Sequence, residues 1–323
     1  MLFHELDKMA KCGAVLALFV LFPLARAQER PSHAERDNKA VYVGLIEDDR
    51  HQLANLGPRD FGLVKNRTIT PAFVKDASGW KPVKQLNQRV TWTVAFDGKK
   101  LGVVVSEPVS GSDTSEKAPG PSDTHSILTP TDKIPEVGKP NGKFNGNFET
   151  AVRRPLVVVS EPNFTDPDGW RREGVPDQVA GPVRSSFRGV FQHVRQCDPS
   201  GEPLETDWYL SDSEIVVSKA YVSNKGSFIV ETQLKHNHCV FNLDGSRLQS
   251  LEGDQWFYVA PDRQVTHLGD DWQLVDAGDY DSDRKSEVIF YVAEGRQDFV
   301  ETEGYILFYD DFRRNVRFTW SDR

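Results

Sequence analysis

Short runs of β-branched and aromatic residues, separated by turn chemistry, set the pattern of apolar and polar positions along this chain. Such runs occupy residues 40–45, 90–96, 101–106, 156–160, 214–222, 228–234, 239–243, 256–260, 287–292 and 305–309. Branched and aromatic side chains suit a pleated surface, so each run predicts a strand. Asp97 with Gly98, Asp244 with Gly245, and Asn224 through Gly226 sit between runs where hairpin turns belong. Near the carboxyl end Val316, Phe318 and Trp320 alternate with Arg317 and Thr319, which places apolar side chains on one face of a terminal strand. Few segments carry helical spacing, so the fold class expected is all-β.

Internal repetition sharpens that expectation. Residues 103–108 and 157–162 are the same hexapeptide, Val-Val-Val-Ser-Glu-Pro, and residues 213–218 and 286–291 share a Ser-Glu pair followed by Ile or Val. A second pair of turns ends in Gly-Trp-basic: Gly79, Trp80, Lys81 and Gly169, Trp170, Arg171. Repeats near a blade's length predict an irregular β-propeller-like arrangement of short antiparallel strands, with a β-sandwich duplication as the alternative. Each Trp is expected to plug the core beside its turn, the other reading being a platform for sugar rings. Residues 107–131 are rich in Ser, Thr, Pro, Gly and acids and read as a flexible linker or loop. They separate a β segment at 28–106 from a β domain at 132–323. Within the latter, Ile134, Val137, Phe144 and Phe148 give the Gly- and Pro-rich start something to pack.

Composition then places the chain. An apolar run at 13–24, preceded by Lys8 and Lys11 and followed by Ala25, Arg26 and Ala27, has the layout of a signal peptide over 1–27 with cleavage near Ala27. That predicts a secreted or periplasmic protein. No second apolar stretch is long enough for a permanent membrane span. The formal charge of −9 repels a phosphate backbone, so nucleic acid is excluded as a partner. Past the leader only Cys197 and Cys239 remain, either as one disulfide in an oxidising compartment or as two buried thiols.

The chemistry concentrates at residues 279–287, where Asp279, Asp281, Asp283 and Glu287 alternate with other residues and Lys285 offers a backbone carbonyl. Hard divalent cations take several oxygen ligands, and an acid at every second position turns carboxylates toward one point. A helix-loop-helix calcium hand is excluded, because Phe290 holds the twelfth position and Arg284 the turn glycine. Strand-like residues on both sides, 272–275 and 288–292, predict a loop between two strands, and Asp276 reads as a turn residue. The bland alternative is a solvated acidic turn, neutralised in part by Arg284 and Lys285.

On these residues the stretch 275–290 resembles the calcium loop of FG-GAP or VCBS-type repeats, as found in integrin-like β-propellers. The resemblance covers one repeat, with Arg284 where those loops carry Gly and Glu287 where they carry Asp. It implies a structural calcium ion held by Asp279, Asp281, Asp283 and Glu287, and a binding or scaffold role with protein or glycan partners.

Other chemistry is sparser. His236 and His238 share one side of a run as a pair of zinc ligands would, with His193 and Cys197 as candidates to join them, while His267 reads as a loop residue. Glu205 and Asp207 beside Trp208 and Tyr209 form the acid-aromatic neighbourhood of a glycosidase or lyase cleft. No nucleophile elbow, HExxH, phosphate loop or CxxC pair is present, so no catalytic set is readable. Asn66 and Asn163 lie in glycosylation sequons.

Overall fold

The computed structural model describes residues 40–48, 67–109, 125–128, 155–198, 200–206, 208–235, 240–241, 254–294 and 302–321. The expected leader, the segment 132–147 and the Asp244–Gly245 turn lie outside these described residues.

Strands β1 (Val41–Asp48), β2 (Arg67–Asp76), β3 (Gly79–Pro82), β4 (Val90–Phe96), β5 (Lys99–Pro108), β6 (His125–Ile127) and β7 (Leu156–Val159) form one sheet in the order β1-β7-β4-β5-β6-β2-β3. Strand β1 also pairs with β2, so the hydrogen bonding returns on itself in a ring that is not a barrel. At the β4–β5 corner Asp97 and Gly98 both have positive φ, 53° and 71°, which is the two-residue hairpin turn the sequence called for.

The next strands are β8 (Arg171–Arg172), β9 (Arg195–Gln196), β10 (Ile215–Val222), β11 (Phe228–Leu234), β12 (Val240–Phe241), β13 (Gln255–Val259) and β14 (Val265–Asp270). They build a five-stranded sheet, β14-β13-β11-β10-β8, and a two-stranded ribbon, β12-β9. Helix α1 (Asp177–Val190) closes one face of the five-stranded sheet. Its Val179, Val183 and Phe187 recur at helical spacing and pack on Ile215, Val222, Val230 and Phe257.

The last four strands, β15 (Trp272–Gly278), β16 (Glu287–Glu294), β17 (Thr302–Tyr309) and β18 (Arg314–Ser321), form a meander in sequence order. This sheet is the middle layer. Val275, Ile289, Tyr291, Tyr305, Leu307 and Phe318 face the seven-stranded sheet and meet Val43, Leu45, Phe73 and Val157. Leu274, Val288, Phe290, Val292, Ile306 and Phe308 face the five-stranded sheet and meet Tyr221, Ile229, Trp256 and Tyr258. Two buried faces explain why residues 288–292 are apolar without alternation. The protein is therefore all-β, and its face-to-face sheets match the sandwich alternative.

The hexapeptide repeat does not mark two blades. Both copies lie in the seven-stranded sheet and flank β4, with Val103 and Val159 paired to Thr93 from opposite sides. Residues 107–131 stand between a first segment, 28–106, and a second, 132–323. Strand β7, from the second segment, pairs with β1 and β4 of the first, so the two share a sheet. Within the expected linker, residues 125–127 form β6. There His125 is fully buried, its Nδ1 2.9 Å from Ser106 Oγ and its Nε2 2.7 Å from the Leu86 carbonyl, while Trp92 Nε1 donates to the same Ser106 Oγ at 2.7 Å. Trp80 and Trp170 are both buried core plugs.

Candidate metal centre

The acidic loop spans residues 279–286, and Gly278 and Glu287 pair at its base as the last residue of β15 and the first of β16. It therefore joins two strands of the middle layer. Carboxylate oxygens of Asp279, Asp281 and Asp283 all lie within 4.8 Å of one another, in an environment that runs from buried at Asp279 to exposed at Asp283. Glu287 is not part of that group. It is almost wholly buried under the loop, where its Oε2 accepts the Tyr280 N–H at 2.8 Å.

Backbone amides hold the loop in shape. Asp279 accepts the N–H groups of Asp283 and Arg284 at 3.0 and 2.9 Å, Asp281 that of Asp283 at 3.0 Å, and Asp283 that of Lys285 at 2.8 Å. These bonds require the chain to fold back tightly, and Ser282 and Arg284 take positive φ of 63° and 71° to do so. Arg284 thus adopts the left-handed conformation for which glycine is the unstrained residue.

Neighbouring elements clamp the loop from outside. The Asp279 N–H donates to the Thr165 carbonyl at 2.7 Å, and the Tyr280 ring stacks on Phe164 with centroids 5.1 Å apart. Ser286 Oγ donates to Asp166 Oδ1 at 2.7 Å and its N–H to Asp168 Oδ2 at 3.1 Å. From β2, the Lys75 ammonium donates to Asp281 Oδ2. Spacing along the chain revealed none of these clamps.

Burial first, and the charges of its neighbours after it, raise the carboxyls of Asp279 and Asp283 above their ordinary range. Glu287 is raised well above its range by burial, with the charge of Asp281 next. For Lys75 burial works downward, but the Asp281 hydrogen bond and the charges of Asp281, Glu287 and Asp283 outweigh it and leave the ammonium favoured. Each pair of ionised carboxylates at this separation repels by roughly 3 kcal/mol at an effective dielectric of about 20, and one lysine supplies a single positive charge against three aspartates. The donors are hard oxygens and the local charge is negative, so the residues fit a hard divalent cation.

The remaining predicted residues fall elsewhere. Asp276 is not in a turn; it is buried within β15 at a register shift, and its Oδ1 accepts the Gly98 N–H at 3.0 Å. His267 is not in a loop either. It sits in β14 with Nε2 2.9 Å from Gln255 Oε1 and its ring against Phe191 and Phe257. Cys197 is disulfide-bonded, and Cys239, its expected partner, lies outside the described residues together with His236 and His238. Glu205 is exposed, Asp207 lies outside the described residues, Trp208 donates to Glu214 at 3.1 Å, and Tyr209 projects into solvent. Asn163 is exposed, and Asn66 lies outside the described residues. Among the described residues, no helix is long and apolar enough to cross a membrane.

No family model, curated protein or solved structure matches this chain. The site's chemistry therefore rests on its own residues.

Proposed function

We propose that the chain is an exported, calcium-stabilised β protein with a binding or scaffold role at the cell exterior, and that its acidic loop is a single loop of the FG-GAP or VCBS type. The supporting observation is the convergence of Asp279, Asp281 and Asp283 on a strand connection of the middle layer. Calcium there takes these three carboxylates as ligands, with Glu287 as the fourth acid that the resemblance supplies and the Lys285 carbonyl as the backbone oxygen that such loop spacing offers. The ion's part is structural: it compensates buried negative charge and fixes the β15–β16 connection against the segment 165–168. The disulfide at Cys197 supports export into an oxidising compartment. Protein or glycan partners follow from the resemblance alone.

Calcium that binds the folded loop and not the dispersed chain stabilises by about 2.7 kcal/mol at a hundredfold excess over Kd. The purified protein should melt at a temperature that climbs with calcium and drops in chelator, and Asp281→Asn should abolish the dependence. A melting temperature indifferent to both additions removes this reading.

A further inference from the structure

Lys75 is a cation delivered to the acidic loop from another sheet. It lies near the carboxyl end of β2, opposite Trp80 in the β2–β3 pairing, and far in sequence from its partner. Its ammonium donates to Asp281 Oδ2 and stands 5.9 Å from the Trp80 ring centroid, within the range of a cation–π contact. In this ion pair the Asp281 side chain is 2% exposed and the lysine 33%, so solvent screens the contact from one side only. The bond occupies an oxygen of one of the three converging aspartates, and its donor belongs to a different structural layer from the loop.

We propose that Lys75 is the resident counter-ion of this loop and sets how readily a divalent ion enters it. The inference rests on the calcium reading of the same site. One ammonium cannot balance three aspartates and Glu287, so the loop still attracts a dication. To be coordinated by Asp281 Oδ2, that dication must displace an ammonium already bonded there. Entry of the metal then also releases a link between the seven-stranded sheet and the middle layer. A loop with this tether binds calcium more weakly than the same loop without it.

The test is isothermal titration of calcium into the wild-type full chain, Lys75→Met and Lys75→Arg. Methionine keeps an apolar stem beside Trp80 and removes the charge, whereas arginine keeps the charge. Lys75→Met should bind calcium at least tenfold more tightly than wild type, and Lys75→Arg should remain within a few-fold of it. Equal or weaker binding by Lys75→Met, with wild type still binding, overturns the role of Lys75 and leaves the calcium reading standing. If neither wild type nor Lys75→Met takes up calcium, the calcium reading falls and this inference falls with it. Circular dichroism of each variant establishes that the sheets are intact, and a merely structural lysine moves stability without tightening the metal.

Discussion

The Tyr280 backbone N–H donates to Oε2 of Glu287 at 2.8 Å, tying the second residue of the acidic loop to a carboxyl group buried beneath it. Burial, and the charge of Asp281 after it, raises that carboxyl well above its usual range. A raised acid favours the folded state while protonated; its contribution is complete below the unfolded value of about 4.3 and is lost as pH climbs through the folded value. Metal-free protein should therefore lose stability as pH rises from mildly acidic toward neutral. Glu287→Gln keeps an oxygen for the Tyr280 N–H and removes the titration, so it should flatten that decline. Urea unfolding at several pH values in chelator measures it, and the same slope in variant and parent contradicts the assignment.

Arg284 occupies a left-handed conformation at φ 71°. Glycine adopts this region without a Cβ clash, and removing such strain from a non-glycine residue is worth about 1 kcal/mol. Arg284→Gly is expected to raise the unfolding free energy by that amount, read as a higher urea midpoint with the m-value unchanged. A lower midpoint would mean that the arginine side chain contributes more than its backbone strain removes.

Gly278, the last residue of β15, leaves no room for a side chain: an added Cβ would meet Phe164 Cζ at 2.1 Å and the Thr165 carbonyl at 3.0 Å. Phe164 is itself buried and stacked on Tyr280, so it has little freedom to withdraw. Gly278→Ala should destabilise by about 1–3 kcal/mol, as overpacking does, and should weaken calcium binding by shifting the loop. Unchanged thermal stability would show that Phe164 moves aside freely.

Ser106 Oγ joins two buried ring nitrogens, Trp92 Nε1 and His125 Nδ1. Ser106→Ala leaves both without this partner and should destabilise by about 1–3 kcal/mol. Urea unfolding followed by circular dichroism measures the change. A loss below about 0.5 kcal/mol would mean that a water replaces the hydroxyl at little expense.

Strands with uninterrupted branched or aromatic runs were readable from the chain: 90–96 and 228–234 form β4 and β11 over the same residues. Strand β2 escaped because Pro71 sits inside it opposite Gly44, at a register shift where a missing N–H is tolerated. The helix escaped because Gly181, Pro182 and Gly189 lower its local propensity, although Val179, Val183 and Phe187 keep the helical period. At the acidic loop the alternation of Asp279, Asp281 and Asp283 was legible because the converging carboxylates lie along one short segment. Lys75, Phe164, Asp166 and Asp168 were not, since tertiary packing brings them there and no local spacing records it. Asp276 misled for the opposite reason: an acid between two apolar runs resembles a turn, whereas here it anchors the backbone of a distant hairpin.

The layer enclosed on both faces is built from β15–β18, which follow every strand of the two flanking sheets along the chain. While a ribosome is still making it, the two flanking sheets have no surface to close upon, and their inward-facing valines, phenylalanines and tyrosines meet water or one another. The two outer sheets can close only once β15–β18 have emerged from the ribosome, and products truncated before β15 would be prone to aggregate.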